Sequence, residues 1–350
     1  MATAAAAYRC GCSSSAARCC SAADWCSRCT AAGHATRDST VKGGTTGDGD
    51  VRELLLVVPA GLLGVLLAWA LSVPDPAPTA ALVRVVADVT GAAVLGLAAL
   101  PRLSARVSPP WRLLAGLAGI WCAAEFAVLL FEAADVVGVP VSELGADQFG
   151  TFLTELSGGQ IGIAILFGAG AVAVYAAVAH RRPDIASADL VLVFTAVALA
   201  LRPITGHMSQ QRFGSVLAAV HALAAAAWFG LLLAIGLVVR TRGEWARVLP
   251  RYSAVALPLI AVVGVTGIVN GFVRLERVGA VFDTGYGRIL LAKTVLLAAL
   301  LALGWWWRRG WVPRAADHRM TARASLRRAV LEVTVMSVAF GLAAALAVTA

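Results

Sequence analysis

The sequence predicts an all-α polytopic membrane protein, a bundle of about nine transmembrane helices. Hydrophobic residues make up 59% of the 350-residue chain and charged residues only 14%, and the mean hydropathy is +0.80. So few charges cannot cover the exterior of a soluble protein of this composition, and the same numbers exclude a disordered chain. From Leu54 onward, long apolar runs alternate with short polar breaks, and arginines concentrate in every second break.

Residues 1–50 differ from the rest of the chain and are predicted to be a disordered tail. They are rich in Ala, Ser and Cys and lack the apolar core of a secretion signal. Six of the seven cysteines lie here, some of them in a C-x-C and a C-x-x-C pair. Thiolates bind copper(I) and zinc, so a metal-binding tail is a second interpretation, although the spacing is not that of a zinc finger. A wrongly chosen start codon, with translation beginning near Val41 or Val51, is a third.

Nine apolar runs are predicted to cross the membrane. A helix needs about 20 residues for this, and at such lengths only helices satisfy their own backbone groups in lipid. The second run is the shortest. The runs lie near residues 54–73, 84–100, 113–133, 160–179, 189–206, 214–239, 252–272, 288–307 and 329–349.

The distribution of arginines predicts the orientation. Sixteen lie in one set of alternate breaks and only four in the other. Because cytoplasmic loops accumulate Arg and Lys, the first set is assigned to the cytoplasm. This places the N-terminus inside and the C-terminus outside. The acidic stretch 135–155, which contains no Arg or Lys, is then an extracytoplasmic loop.

Several ionisable side chains fall inside predicted spans, where they are costly and often functional. Arg84 and Asp88, four residues apart on one helix, are expected to pair. Glu332 is expected to approach Arg327 and Arg328. Each such group is a candidate either for a translocation route or for a structural ion pair. The four acidic or basic candidates are Asp88, Glu125, Lys293 and Glu332.

Two histidines and a methionine form the candidate metal site. His207 ends the fifth run and is followed by Met208, while His221 lies about 10 Å into the sixth run at 1.5 Å per residue. Antiparallel neighbours would bring these side chains together near the outer face, and imidazole with thioether suits copper. Trp228, on the same helix face as His221, and Asn270 are further polar groups of the region.

Two other interpretations of the histidines stay open. They can be hydrogen-bonded packing residues, or axial ligands of a haem. At most one haem fits, because no transmembrane histidine lies near the predicted inner side.

A set of motifs in residues 186–350 resembles the copper resistance protein D family. Residues 51–185, with helices 1–4, are predicted to be a separate N-terminal part, and they resemble actinobacterial members more loosely. The motifs are Thr205-Gly206-His207, His221-Ala222-Leu223 through Trp228-Phe229-Gly230, Arg251-Tyr252-Ser253, Leu257-Pro258, Thr266-Gly267-Ile268-Val269-Asn270, Tyr286-Gly287-Arg288, Leu290-Leu291-Ala292-Lys293, and Leu326-Arg327-Arg328 with Glu332.

The resemblance implies a multi-pass protein of the plasma (inner) membrane that takes up or handles copper, often beside a periplasmic copper-binding partner. Two departures from the family pattern are expected to matter. The chain ends at Ala350, so the cytochrome oxidase assembly domain fused to some members is expected to be absent. Met208 stands where small residues or another histidine are usual, which leaves the number of ligands open.

Three functions follow as hypotheses: copper uptake or handling from the extracytoplasmic face, membrane haem or electron transfer, and non-transporting copper delivery or oxidase assembly. Copper is the expected ion, and haem is the less favoured alternative. An enzyme is not expected, because the sequence has no nucleophile motif, phosphate-binding loop or catalytic carboxylate pair. A nucleic-acid partner is not expected either, because there is no basic stripe with interleaved aromatic residues.

Overall fold

The computed structural model of the protein describes residues 52–73, 79–205, 214–274 and 280–348. Within these ranges the chain is helical and contains no strand. The helices, connected in part by short 3-10 turns, are α1 (Val57–Ser72), α2 (Ala80–Leu103), α3 (Trp111–Val137), α4 (Ala146–Glu155), α5 (Ser157–Arg181), α6 (Ala188–Leu201), α7 (Gly214–Val238), α8 (Arg242–Arg274), α9 (Ala280–Asp283), α10 (Gly285–Ala316) and α11 (Ala322–Val348).

The predicted all-α membrane bundle is confirmed, with one difference in the number of full spans. Eight helices of the described ranges are long and apolar enough to cross a bilayer. The fifth predicted run instead forms α6, which has 14 residues, followed by the 3-10 turn Arg202–Thr205. The orientation of the termini relative to the membrane stays a prediction.

Helix ends differ from the apolar runs because polar residues continue several helices beyond the hydrocarbon. Helix α8 begins at Arg242, before the apolar run near residue 252, and α10 continues to Ala316, past the run that ends near residue 307. The acidic stretch 135–155, predicted as a loop, contains the amphipathic helix α4. Its Phe152 is buried, so part of this stretch packs on the bundle rather than standing in solvent.

Helix α2 lies at the centre of the bundle and contacts α3, α6, α7 and α11. Its approach to α7 is very close, since a Cβ atom built on Gly96 would collide with the backbone of Gly230, and one on Gly230 with the carbonyl of Ala92. Small residues permit such backbone contacts between membrane helices, where dispersion contacts replace the hydrophobic effect as the driving force. Helices α1 and α11 are in similar close backbone contact at Gly64 and Gly341.

The end of the bundle where α1 ends and α2 begins is called the α1–α2 end. There, Arg288 near the start of α10 donates from Nε to the carbonyl of Leu71 at 2.7 Å and from Nη2 to that of Val73 at 2.9 Å. The last carbonyls of a helix lack intrahelical partners. Arg288 therefore caps α1 and connects it to α10 at the same end that carries the candidate site.

Candidate functional site

Four charged side chains form an ion-pair cluster near the α1–α2 end: Arg84 of α2, Glu125 and Glu132 of α3, and Arg202 just after α6. The Glu132 carboxylate lies 3.3 Å from Nη1 of Arg84 and 3.3 Å from Nη1 of Arg202. Arg202 also forms an ion pair with Glu125. Arg202 therefore connects two carboxylates that stand two turns apart on one face of α3.

The ion-pair cluster is largely withdrawn from solvent. The exposed side-chain fraction is 3% for Glu125, 12% for Arg202, 16% for Arg84 and 29% for Glu132. Glu125 also accepts a hydrogen bond of 2.9 Å from the indole Nε1 of the buried Trp121. Two positive and two negative charges balance, as the high cost of isolated charges in an apolar interior requires.

Asp88 does not form the predicted ion pair with Arg84. The Arg84 guanidinium turns to Glu132 on the neighbouring helix instead, so the expected intrahelical pair was wrong. Asp88 lies one turn further along α2, within electrostatic range of Arg84, Arg202 and Lys293. Its carboxylate adds a negative charge beside the ion-pair cluster, and Lys293 of α10 adds a positive one.

His221 of α7 contacts α8 through a hydrogen bond. Its Nδ1 lies 2.8 Å from Oγ1 of Thr266, and the edge of its ring lies beside Gly267, where an added Cβ would come to 3.4 Å from Cε1. Residue 221 is near the start of α7, and residue 266 is near the end of α8. The antiparallel packing of these two helices therefore brings the imidazole to the α1–α2 end. Its predicted position near the outer face stays a prediction.

Lys293 of α10 lies between the surroundings of His221 and Asp88 in its electrostatic influence. Its ammonium group is within electrostatic range of both His221 and Asp88. A cation bound at His221 would therefore meet a fixed positive charge nearby, and Asp88 partly offsets that charge. The predicted polar residues Asp88, Glu125, Lys293 and His221 thus belong to one region.

Trp228 and Asn270 have different surroundings. Trp228 lies two turns below His221 on α7 and is 4% exposed, and its carbonyl accepts from the Tyr252 hydroxyl at 3.5 Å. Asn270 follows Thr266 by one turn of α8, and its buried Oδ1 has no hydrogen-bond partner within the part of the chain that the structure describes. Asn270 therefore lies toward the same end as His221, whereas Trp228 lies deeper in the bundle.

Glu332 of α11 does not approach the two arginines as predicted. It is 7% exposed and has no ion pair among the residues that the structure describes. Arg327 is exposed, and Arg328 donates from Nη1 to the sulfur of Met320 at 3.2 Å. Neither arginine forms a salt bridge with Glu332 among the described residues. Glu332 is instead within electrostatic range of Tyr252 on α8, so the expected ion pair was wrong.

The other two predicted metal ligands, His207 and Met208, lie outside the described residues. Among residues 52–73, 79–205, 214–274 and 280–348, no group of three or more His, Cys, Asp or Glu side chains is arranged to hold a metal ion. His221 is therefore the one predicted ligand whose surroundings are defined. The full ligand set stays a prediction.

Sequence reasoning missed two residues of this region. Glu132 was overlooked although it lies in the third apolar run, seven residues after Glu125, and that spacing places two acids on one helix face. Thr266 belongs to one of the sequence motifs, but its spacing alone does not predict a contact with a histidine. A threonine in an apolar helix is common, and only the packing of α7 on α8 reveals its contact with His221.

The fold and this region together define a multi-pass helical membrane protein with a buried, charge-balanced polar region near one end. Two family descriptions match the chain: Copper resistance protein D matches residues 246–346, and Copper resistance protein D-like, N-terminal domain, matches residues 51–212. The chain belongs to the copper resistance protein D family, which confirms the resemblance seen in its motifs. It is thus a multi-pass membrane protein of this family.

A similar protein is named Copper transport protein CutJ, from Bacillus subtilis (strain 168). It is 29% identical to this chain in an alignment of 166 positions that covers 43% of this chain and 30% of the relative. The match therefore spans less than a third of the relative's length. No solved structure matches the chain.

Proposed function

We propose that the protein resides in the plasma membrane and takes up or handles copper ions from the extracytoplasmic face, with His207, Met208 and His221 as ligands. The observation that carries this proposal is the position of His221. Its ring is held by Thr266 near the α1–α2 end, which the arginine distribution assigns to the extracytoplasmic side. His207 and Met208 precede α7 by a few residues in the sequence.

The chemistry of the ligands supports copper rather than a harder cation. Imidazole nitrogen suits copper in both oxidation states, and the thioether of methionine favours copper(I). The family and the name of the relative point the same way. A periplasmic or other extracytoplasmic copper-binding protein is the proposed donor or acceptor, because free copper is a poor source for a membrane site.

The test measures cell-associated copper in four strains: one lacking the protein, and others producing the wild type, His207→Ala or His221→Ala. We expect the wild type to change copper accumulation and both substitutions to abolish that change. His180→Ala is the matched control, since this histidine lies in the last turn of α5, at the opposite end of the bundle. Equal copper content in all the strains would refute the proposal.

Purified protein in sealed liposomes separates the alternatives. Copper uptake into the vesicle lumen is expected for a permease. Binding without uptake would instead indicate a delivery or assembly factor. A Soret absorbance band in the purified protein would indicate the haem alternative.

A further inference from the structure

The hydroxyl group of Thr266 makes two short contacts that bear on which ring nitrogen of His221 carries the proton. Thr266 is 5% exposed. Its Oγ1 lies 2.6 Å from the carbonyl oxygen of Val262, one turn earlier on α8, and 2.8 Å from Nδ1 of His221. A hydroxyl group has one proton to donate and lone pairs with which to accept.

The two contacts assign the protons. A carbonyl oxygen only accepts, so the shorter contact uses the threonine proton. The contact with the imidazole then requires Nδ1 to carry a proton and to donate it to Oγ1. Neutral histidine has one N–H, so Nε2 keeps its lone pair and is the nitrogen able to bind a metal ion.

We propose that Thr266 is a positioning residue for copper: it fixes the His221 ring in the Nδ1–H tautomer and presents Nε2 as the coordinating atom. This inference rests on the proposed binding of copper at His221. Outer hydrogen bonds of this kind orient ligand histidines and raise their basicity, and their loss typically weakens metal binding by about 10–100-fold.

Neighbouring residues of α8 support a built arrangement. Gly267 lies beside the imidazole, since a Cβ built there would stand at ordinary contact distance, 3.4 Å from Cε1. Asn270, one turn beyond Thr266, has a buried Oδ1 that no other described residue contacts by a hydrogen bond. The histidine is thus held on its Nδ1 side by α8.

The first experiment measures the copper(I) dissociation constant of the purified full-length protein by competition with a chromophoric chelator. Thr266→Val removes the hydroxyl at nearly constant volume and is expected to weaken binding about 10–100-fold. Thr266→Ser keeps the hydroxyl and is expected to bind within a few-fold of the wild type. Equal constants for the valine variant and the wild type would overturn the proposal.

Thr90→Val is the matched control. Thr90 is also buried, at 7% exposure. Its hydroxyl donates at 2.7 Å to the carbonyl of Val86, four residues earlier on its helix, just as Thr266 donates to Val262. It has no histidine contact among the described residues. A loss of affinity in Thr90→Val equal to that in Thr266→Val would show a general effect of buried threonines and would overturn the proposal.

A second measurement reads the tautomer directly and does not need a variant of Thr266. Nitrogen chemical shifts of ¹⁵N-histidine-labelled, copper-free protein, assigned with His221→Ala, are expected to show Nδ1 protonated and Nε2 unprotonated. The opposite tautomer would overturn the proposal. If His221→Ala itself leaves copper binding unchanged, the proposed function fails; if only Thr266→Val is without effect, the function stands and the role of Thr266 fails.

Discussion

The guanidinium of Arg202 forms an ion pair with the carboxylate of Glu125 inside the helix bundle. Arg202 directly follows α6, whereas Glu125 lies near the middle of α3. The contact therefore fixes the end of the short helix α6 to the interior of the long helix α3. Several measurable consequences depend on this and on the other contacts at the α1–α2 end.

Glu125→Gln is expected to destabilise the protein by about 3–5 kcal/mol, because it removes the carboxylate that forms an ion pair with the largely buried Arg202. The measurement is the free energy of unfolding in detergent with increasing denaturant. Asp189→Asn is the control, since the Asp189–Arg102 pair at 2.9 Å is more than half exposed on both sides, and its loss should cost less than about 1 kcal/mol. Equal effects of the two substitutions would contradict the prediction.

Gly96→Ala is expected to lower the midpoint of thermal unfolding, because its methyl group would meet the backbone of Gly230 and force α2 and α7 apart. Overpacking of this kind costs about 1–3 kcal/mol. Gly119→Ala on α3 is the control, since a Cβ there meets nothing within 4 Å. A midpoint that Gly96→Ala leaves unchanged would mean that the two helices are not in backbone contact.

Arg288→Gln is expected to destabilise the protein by about 2 kcal/mol, because it removes charge-assisted hydrogen bonds to the carbonyls of Leu71 and Val73. Thermal unfolding in detergent is the measurement. The control is Arg309→Gln, whose guanidinium lies over the ring of Trp305 at 4.1 Å at the far end of α10. The prediction is wrong if Arg309→Gln has the larger effect.

Lys293→Gln is expected to tighten copper binding on the order of tenfold, which corresponds to about 1.4 kcal/mol. The ammonium group is within electrostatic range of His221, and removing a positive charge favours a bound cation. The measurement is the copper(I) dissociation constant. Arg319→Gln, at the opposite end of the bundle, should leave the constant unchanged, and weaker binding by Lys293→Gln would count against copper at His221.

The orientation can be tested by cysteine labelling in a variant without the seven native cysteines. Glu143→Cys is expected to react with an impermeant maleimide added to whole cells, because stretch 135–155 is assigned to the outside by its lack of Arg and Lys. Asp317→Cys, between α10 and α11, is expected to react only after permeabilisation. The reverse pattern would invert the assignment and move His221 to the cytoplasmic side.

Most of the fold was readable from the sequence, since a run of apolar residues has essentially one structure in lipid. Each of the nine predicted runs contains a helix of the structure. The boundaries were less accurate, as at Arg242 and Ala316, because helices continue into polar residues that hydropathy cannot assign. Helix α4 was not predicted for the same reason, because its polar face led to the assignment of stretch 135–155 as a loop.

The contacts of the site could be predicted less well, because ion pairs between side chains of different helices depend on packing rather than on sequence spacing. Spacing alone suggested Arg84 with Asp88, but the partner of Arg84 is Glu132, on another helix. Glu332 was likewise assigned to nearby arginines that turn elsewhere. His221, in contrast, lies near the start of α7, because its depth along the helix follows from counting residues. Its position at the outer face of the membrane stays a prediction.

The shortness of α6 has a consequence for the surrounding lipid. Fourteen residues extend about 21 Å at 1.5 Å per residue, whereas the hydrocarbon layer is about 30 Å thick. Such a mismatch thins the adjacent leaflet or draws headgroups and water inward. We therefore expect the hydrocarbon layer beside Arg202 to be thinner than elsewhere around the bundle, with headgroups or water close to this guanidinium.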